Sequence, residues 1–371
     1  MDKKILALIL AGGKGTRLES LTKKNAKPAI SFAAKYRIID FVLSNVANSE
    51  INNVAVLVQY ESIELDSYIG NGEKWGLNGQ SCQVHTIAPR QTEDGVFWYK
   101  GTADAVTANI DFIDHYNPDA VLVLSGDHVY KTTYNELISY HFNNNCDATL
   151  AVKDINIEES HRYGIVEVDN EDKITSFKEK PKKARSNLAN MGVYVFNWKM
   201  LRKYLLEDKK DKKSAHDFGK SILPMMIKDK KRLLAYHFKG YWRDVGTLES
   251  LHAANMDLCL SRESFNLYDW DYHTRIFTED TPSLPLFVGK NAKIINSLTN
   301  QGAVILGEVN ACVISNEVMI GEGAKCDHSV IMTGAIIEEG AEVHNAIVSP
   351  GARIKKDSKI NVGSNLVILV E

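Results

Sequence analysis

The sequence predicts an α/β fold: a doubly wound, mostly parallel sheet, followed by a C-terminal parallel β-helix. Three observations predict it. Short apolar runs alternate with helically spaced segments through the first part of the chain, loops bearing glycine follow two of those runs, and from about Ser261 the helical spacing gives way to a period of six.

The first element is the apolar run Ile5 to Leu10, whose uninterrupted apolar character suits a strand covered on both faces. It leads directly into Ala11-Gly12-Gly13-Lys14-Gly15-Thr16-Arg17-Leu18, with Lys27-Pro28 shortly after. Three glycines let the backbone approach a polyphosphate and aim amide N–H groups at it, and Lys14, Arg17 and Lys27 offer charge to its oxygens. A strand-closing turn would use the same glycines; the cationic neighbours favour phosphate. Two familiar phosphate loops fail on spacing. In a P-loop ending at Gly13-Lys14 the first glycine would fall at Leu8, and Lys14 is followed by Gly15 rather than a hydroxyl. The dinucleotide fingerprint needs a small residue where Leu18 stands.

Val54 to Val58, Ala120 to Leu124 and Ala148 to Val152 read as further buried strands, and Ala103 to Tyr116 and Thr133 to Asn143 as helices. In a sheet wound this way ligands bind beyond the carboxyl ends of the strands. Asp127, in Ser125-Gly126-Asp127-His128, falls there. A carboxylate at that position suits Mg²⁺, which takes one or two protein carboxylates together with substrate phosphate oxygens. Asp244, in Tyr241-Trp242-Arg243-Asp244-Val245-Gly246-Thr247, is the candidate second ligand or a turn residue; Thr247 is the expected helix cap. His128 is expected to be structural rather than a base.

Glu179-Lys180-Pro181 follows the strand-like Ile174 to Phe177, and Pro181 stops that strand. Lys180 is placed to pair with a phosphate and Glu179 with sugar hydroxyls. Tyr99-Lys100-Gly101-Thr102 precedes a helix, whose N-terminus favours anions. No serine, cysteine or histidine arrangement points to covalent catalysis. A phosphate monoester is largely ionised near neutral pH and attacks a second phosphate without a general base, so positioning, cations and Mg²⁺ suffice.

The tail passes through Thr281-Pro282-Ser283-Leu284-Pro285 into sixfold spacing: Ile314, Ile320 and Cys326; Ile331, Ile337 and Val343; Val348, Ile354 and Ile360, punctuated by Gly307, Gly321, Gly323, Gly334, Gly340 and Gly351. An inward aliphatic every six residues with small residues at corners marks a parallel β-helix, here of about four to five coils. Acyltransferases also use such coils. Here only His328 and His344 lie in the coil region and no long loop interrupts it, so the module reads as an assembly or regulatory surface.

The 371-residue length predicts two domains, drawn at 1–260, a linker at 261–285 and 286–371. A net charge of -3, with 25% charged residues, gives no reason to expect nucleic acid or an anionic membrane as partner. There is no leader pattern and no apolar run long enough to span a bilayer, and five widely spaced cysteines read as reduced thiols, all pointing to the cytoplasm.

The strings LAGGKGTRL, AKPA, KYRIIDF, WYKGTADAV, LSGDHVYK, EKP, MGVYVFNW, HDFGK and YWRDVGTLESL, in that order, resemble bacterial ADP-glucose pyrophosphorylase, also called glucose-1-phosphate adenylyltransferase. The likeness runs to about Leu258, and the tail fits that family's left-handed β-helix. The resemblance implies a Rossmann-like nucleotidyltransferase that makes ADP-glucose and pyrophosphate from ATP and α-D-glucose 1-phosphate for glycogen synthesis. It further implies that Gly12, Gly13, Gly15, Thr16 and Arg17 hold the nucleotide, Lys27 neutralises the transferring group, and Asp127 and Asp244 hold Mg²⁺. Arg17, Lys27, Asp127 and Lys180 are then the catalytic set. Tyr99, Gly164, Glu179, Lys180 and Asn190 occupy the glucose 1-phosphate positions, and Gln59 and Trp98 fall where regulatory loops relay effector binding. The family habit is an allosteric homotetramer, or a heterotetramer with a paralogous subunit.

Four positions depart from the family pattern: Ala33-Ala34 replaces Gly-Gly, Asn190 a serine, and Ser221 an acid. Two other functions stay open at this point: a non-catalytic regulatory subunit, and an enzyme using UTP or dTTP.

Overall fold

The computed structural model describes every residue except 1, 2, 14, 24, 61, 81, 90, 93, 94, 97, 262, 264 and 269–271. By its contacts the chain divides into two compact units that interleave in sequence. One holds residues 1–13, 42–126 and 131–242, the other 14–41, 127–130 and 243–371.

The first unit is built on a nine-stranded sheet. The apolar strand Ile5–Ala11 lies inside it, parallel to Asn53–Val58 on one side and to Ala120–Ser125 on the other. Gln83–Ile87 extends the parallel run at the Asn53–Val58 edge. All of Leu6, Leu8, Val121 and Val123 are buried, as helices on both faces require. Beyond Ala120–Ser125 the direction reverses: Leu188–Asn197 is antiparallel to it and to Ala148–Asp154, and Gly164–Val168 and Ile174–Glu179 continue as an antiparallel pair. An apolar run carries no mark of strand direction, so the mixed half of the sheet was not legible.

Element bounds moved where side chains compete with the backbone. The helix expected over Ala103 to Tyr116 is two, Thr102–Thr107 and Ile110–Tyr116. They part at Asn109, whose amide donates to the Ala105 carbonyl at 2.8 Å, inside the preceding turn. The next helix begins at Asn135 rather than Thr133.

In the second unit the tail forms three five-stranded parallel sheets, one strand of each per coil, as a left-handed β-helix requires. The sixfold residues stack coil on coil. Ile314 pairs with Ile331 and that with Val348; Ile320 with Ile337 and Ile354; Cys326 with Val343 and Ile360. All but Ile360 are buried, each buried aliphatic stabilising the stack by roughly 1.5–3 kcal/mol. The chain turns each corner through left-handed backbone, at Glu317, Gly334 and Gly351 along one edge and at Gly323, Gly340 and Asp357 along another. The helix Leu248–Leu260 packs on the coils, its Thr247 cap accepting from the Ser250 N–H as expected. None of the described residues forms a helix long and apolar enough to cross a membrane.

Candidate active site

Arg17, Lys27, Asp127 and Asp244 all belong to the second unit. Gly15 turns the chain at φ +61 into the 3₁₀ turn Thr16–Thr22 that carries Arg17. A Cβ on Gly15 would come 2.8 Å from Thr22 Cγ2, so glycine is needed there twice over. Lys27 opens the next turn, Lys27–Ala29, with Pro28 following.

Lys27 is only 4% exposed. A buried ammonium persists only with counter-charge, and Lys27 has two: its Nζ donates to Asp127 Oδ2 at 2.7 Å and to Asp244 Oδ1 at 3.1 Å. Burial alone would lower the lysine pKa, yet the two carboxylates hold it above its usual value. Burial likewise works against ionising Asp244, and the Lys27 ammonium, with His128, keeps its carboxyl below the usual range. Asp127 immediately precedes the strand His128–Tyr130 and Asp244 ends the strand Trp242–Asp244; the two strands pair, which sets the carboxylates side by side.

His128 joins them, its Nε2 3.6 Å from Asp127 Oδ1 and 3.9 Å from Asp244 Oδ1. One donor atom from each of Asp127, His128 and Asp244 lies within 4.8 Å of the others. Two carboxylates and an imidazole fit a divalent cation: the oxygens suit a hard ion, and the imidazole widens the choice to softer ones.

Gly246, to which sequence reasoning gave no role, touches this cluster. A Cβ there would stand 2.9 Å from Asp244 Oδ1, 3.0 Å from Arg17 Nη2 and 3.3 Å from Lys27 Nζ. The only sequence signal was its place two residues after Asp244.

The remaining candidates belong to the first unit. Gly12 and Gly13 follow the strand Ile5–Ala11. A Cβ on Gly13 would meet nothing within 4 Å, so no packing among the described residues demands glycine there. A Cβ on Gly12 would come 3.3 Å from Gln59 Cβ, and Gln59 Nε2 donates to the Tyr99 carbonyl at 3.2 Å. Trp98 is half exposed and stacks on Tyr60 with ring centroids 5.1 Å apart. Lys14 lies outside the described residues.

Glu179 ends the strand Ile174–Glu179 opposite Gly164. Its Oε2 would lie 3.0 Å from a Cβ on Gly164 and 3.1 Å from one on Gly219, and both positions also crowd the Phe177 ring. Burial raises the Glu179 pKa, only partly offset by Lys180. Lys180 holds left-handed backbone, φ +46, fixed by its N–H to the Tyr163 carbonyl at 3.0 Å, and its Nζ reaches 3.8 Å from Glu179 Oε1. A long side chain in that conformation is costly, and such positions cluster at functional sites. Asn190 sits where the pairing of Leu188–Asn197 with Ala148–Asp154 shifts register, and donates to the Tyr194 hydroxyl at 2.7 Å. Gly219 and Phe177 were not singled out by sequence; only the HDFGK string pointed to the former.

The nucleotidyl transferase family model matches residues 6–261, and that of the GlmU-like C-terminal hexapeptide matches residues 287–366. The chain is 46% identical to the glucose-1-phosphate adenylyltransferase of Clostridium beijerinckii over 98% of its own length and 94% of the relative's. It is 48% identical to that of Clostridium botulinum strain Alaska E43, covering 99% and 95%. Against the Bacillus thuringiensis strain Al Hakam enzyme of the same name the figures are 45%, 90% and 88%.

Proposed function

The chain belongs to the glucose-1-phosphate adenylyltransferase family, and we propose that it transfers the adenylyl group of ATP to α-D-glucose 1-phosphate, forming ADP-glucose and pyrophosphate for glycogen synthesis. The observation that carries this reading is the buried Lys27 ammonium shared by Asp127 and Asp244. Such a constellation offers cation and carboxylate to a polyphosphate.

In this reading a phosphate oxygen of glucose 1-phosphate attacks the α-phosphorus of ATP in line. The new P–O bond forms as the α–β bridging bond breaks, and the electron pair leaves with pyrophosphate. The attacking oxygen is already ionised, so no proton is moved. Gly12, Gly13, Gly15 and Thr16 give the triphosphate close backbone approach, and Arg17 and Lys27 neutralise its charge. Asp127 and Asp244 are the residues that would hold Mg²⁺, which supplies further neutralisation at the triphosphate oxygens when bound. Glu179 and Asn190 accept or donate to sugar hydroxyls, Lys180 pairs with the sugar phosphate, and Tyr99 and Gly164 shape that subsite.

We assign catalysis to residues 1–260, a linker to 261–285 and assembly to 286–371. Tetramer formation, effector relay through Gln59 and Trp98, and a cytoplasmic location complete the proposal; light scattering of the purified chain tests the first.

The decisive experiment is pyrophosphate release by the chain alone with Mg²⁺ and glucose 1-phosphate, comparing ATP with UTP and dTTP, with Asp127→Ala as control. Turnover with ATP that the control lacks is expected. A folded sample inactive with every nucleotide would overturn it and make the chain a regulatory subunit; faster turnover with UTP or dTTP would reassign the base.

A further inference from the structure

Within the first unit lies a buried polar network that the chemistry above does not use. Asp208, 3% exposed, lies in the last turn of the helix Trp198–Lys210, and His216, 6% exposed, follows in the loop. The His216 ring donates from Nδ1 to Asp208 Oδ2 at 2.7 Å. The Ser214 hydroxyl donates to the other oxygen of the same carboxylate, accepts from the His216 N–H at 3.0 Å and lies 2.8 Å from Ser221 Oγ. Serine, histidine and aspartate here do not form a nucleophilic relay, because the hydroxyl bonds the carboxylate and not the imidazole. The network holds backbone instead.

What it holds is unusual backbone. His216 has φ +51, a conformation that disfavours a bulky residue unless its surroundings impose it. In that conformation its carbonyl accepts from the N–H groups of both Ala103 and Asp104, at 3.0 and 3.1 Å. The two segments approach so closely that a Cβ on Gly101 would fall 2.4 Å from the His216 oxygen. The residues after His216 are tied to the same place. Asp217 accepts from the Thr102 hydroxyl at 2.8 Å, and that hydroxyl accepts from the Phe218 N–H at 3.1 Å. One residue further on, Gly219 faces Glu179 Oε2 and the Phe177 ring. A chain of direct contacts therefore runs from the buried pair through Asp217 and Phe218 to the Glu179 carboxylate, and through Gly101 to the segment bearing Tyr99.

We propose that Asp208 and His216 are positioning residues for the sugar-phosphate subsite: the buried pair locks the 216–219 turn, which in turn sets Glu179 and the Tyr99–Thr102 segment. The proposal rests on the assignment of glucose 1-phosphate to Glu179, Lys180 and Tyr99 above. A pair that served stability alone would have no reason to affect one substrate more than the other.

The test compares Asp208→Asn, His216→Leu and His216→Asn with the wild-type chain, measuring KM for each substrate, kcat and Tm. Asparagine places an amide N–H where the imidazole Nδ1–H stands, so His216→Asn keeps the bond that His216→Leu removes. Asp208→Asn and His216→Leu are expected to raise KM for glucose 1-phosphate about tenfold or more while KM for ATP holds, and His216→Asn to restore most of it. A fall in Tm with both KM values unchanged, or an equal rise in both, overturns the proposal. Should the buried variants fail to fold, Thr102→Val cuts the tether to Asp217 and Phe218 at an exposed position and is expected to give the same selective rise; an unchanged KM overturns the proposal there too. Calorimetric binding of glucose 1-phosphate to the wild-type chain separates the two assignments: if it does not bind at all, the subsite assignment has failed, whereas binding that the variants leave untouched sinks only the positioning role.

Discussion

Lys27 and Asp127 stand 100 residues apart in the chain and 2.7 Å apart in space, the closest ion pair of a buried ammonium that also reaches Asp244. Removing the ammonium leaves two partly buried carboxylates facing each other without their shared counter-charge. Lys27→Met is expected to lower kcat by about a hundredfold or more, the usual cost of losing one preorganised cation or donor at a transition state. The pH dependence should move as well. Lys27 keeps the Asp244 carboxyl below its usual range; without it, burial and the neighbouring carboxylate both oppose ionisation, so the acid limb of the kcat/KM profile shifts to higher pH. A limb that stays in place would show that Asp244 does not need Lys27 to ionise.

Gly246 gives a sharper test of the same cluster. The three atoms a Cβ would crowd there belong to Asp244, Arg17 and Lys27, all side-chain ends that can swing aside. Gly246→Ala should therefore leave Tm nearly unchanged and reduce kcat/KM for ATP by roughly tenfold, a displacement cost rather than a folding cost. Unaltered kinetics would mean that the Arg17 and Lys27 positions seen here are not the working ones.

Gly164 is the corresponding probe in the other unit. A Cβ there would fall 2.6 Å from Phe177 Cζ, which leaves no room without moving the ring or Glu179. Gly164→Ala is expected to raise KM for glucose 1-phosphate by about tenfold or more and to lower stability by roughly 1–3 kcal/mol, the range for overpacking. Steady-state kinetics with thermal denaturation checks both.

Much of this was legible because it is periodic. The run Ile5 to Leu10 and the sixfold aliphatics Ile314 to Val348 each carry their burial in local order; the structure buries Leu6 to Ile9 of the first, with Ile5 and Leu10 half-buried, and all of the second. Lys27, Asp127 and Asp244 were recognisable one by one from strand ends and short strings. Their salt bridges were not, since a partner 100 or 217 residues away depends on the whole chain path. The Asp208–His216 pair was invisible for the same reason in miniature: the two lie eight residues apart across a helix end, and they meet in a turn where His216 has positive φ, which spacing does not encode. Asn109 broke a helix through a side-chain bond that spacing does not encode.

The departure at Ala33-Ala34 has a measurable cost. Both alanines take left-handed backbone, φ +53 and +66, and both are buried, with the Ala33 N–H donating to Asn255 Oδ1 at 3.0 Å. Alanine there is disfavoured by about 1–2 kcal/mol per residue. Glycine would relieve that strain while giving back roughly 0.4–1 kcal/mol through a looser unfolded chain. Ala33→Gly and Ala34→Gly should each stabilise the fold by about 0.5–1 kcal/mol, read as a higher Tm. A lower Tm in either variant would mean that its methyl group packs better than its backbone is strained.

His141 supplies the last prediction, a pH dependence of stability. Its ring is 1% exposed, its Nδ1 lies 2.9 Å from Thr149 Oγ1, and burial pushes its pKa down to about 4, against 6.5 for the free side chain. Between those two values the unfolded chain binds a proton that the folded chain refuses. The contribution of this group is therefore complete above about pH 6.5 and is lost as pH falls toward 4. Going from pH 7.5 to pH 5 the loss should be on the order of 2 kcal/mol. His141→Asn retains an acceptor and a donor for Thr149 without titrating, so its urea midpoint should fall less over the same interval than that of the wild-type chain. Equal losses in the two proteins would show that His141 is protonated in the fold at pH 5, or that the buried site opens to water before it charges.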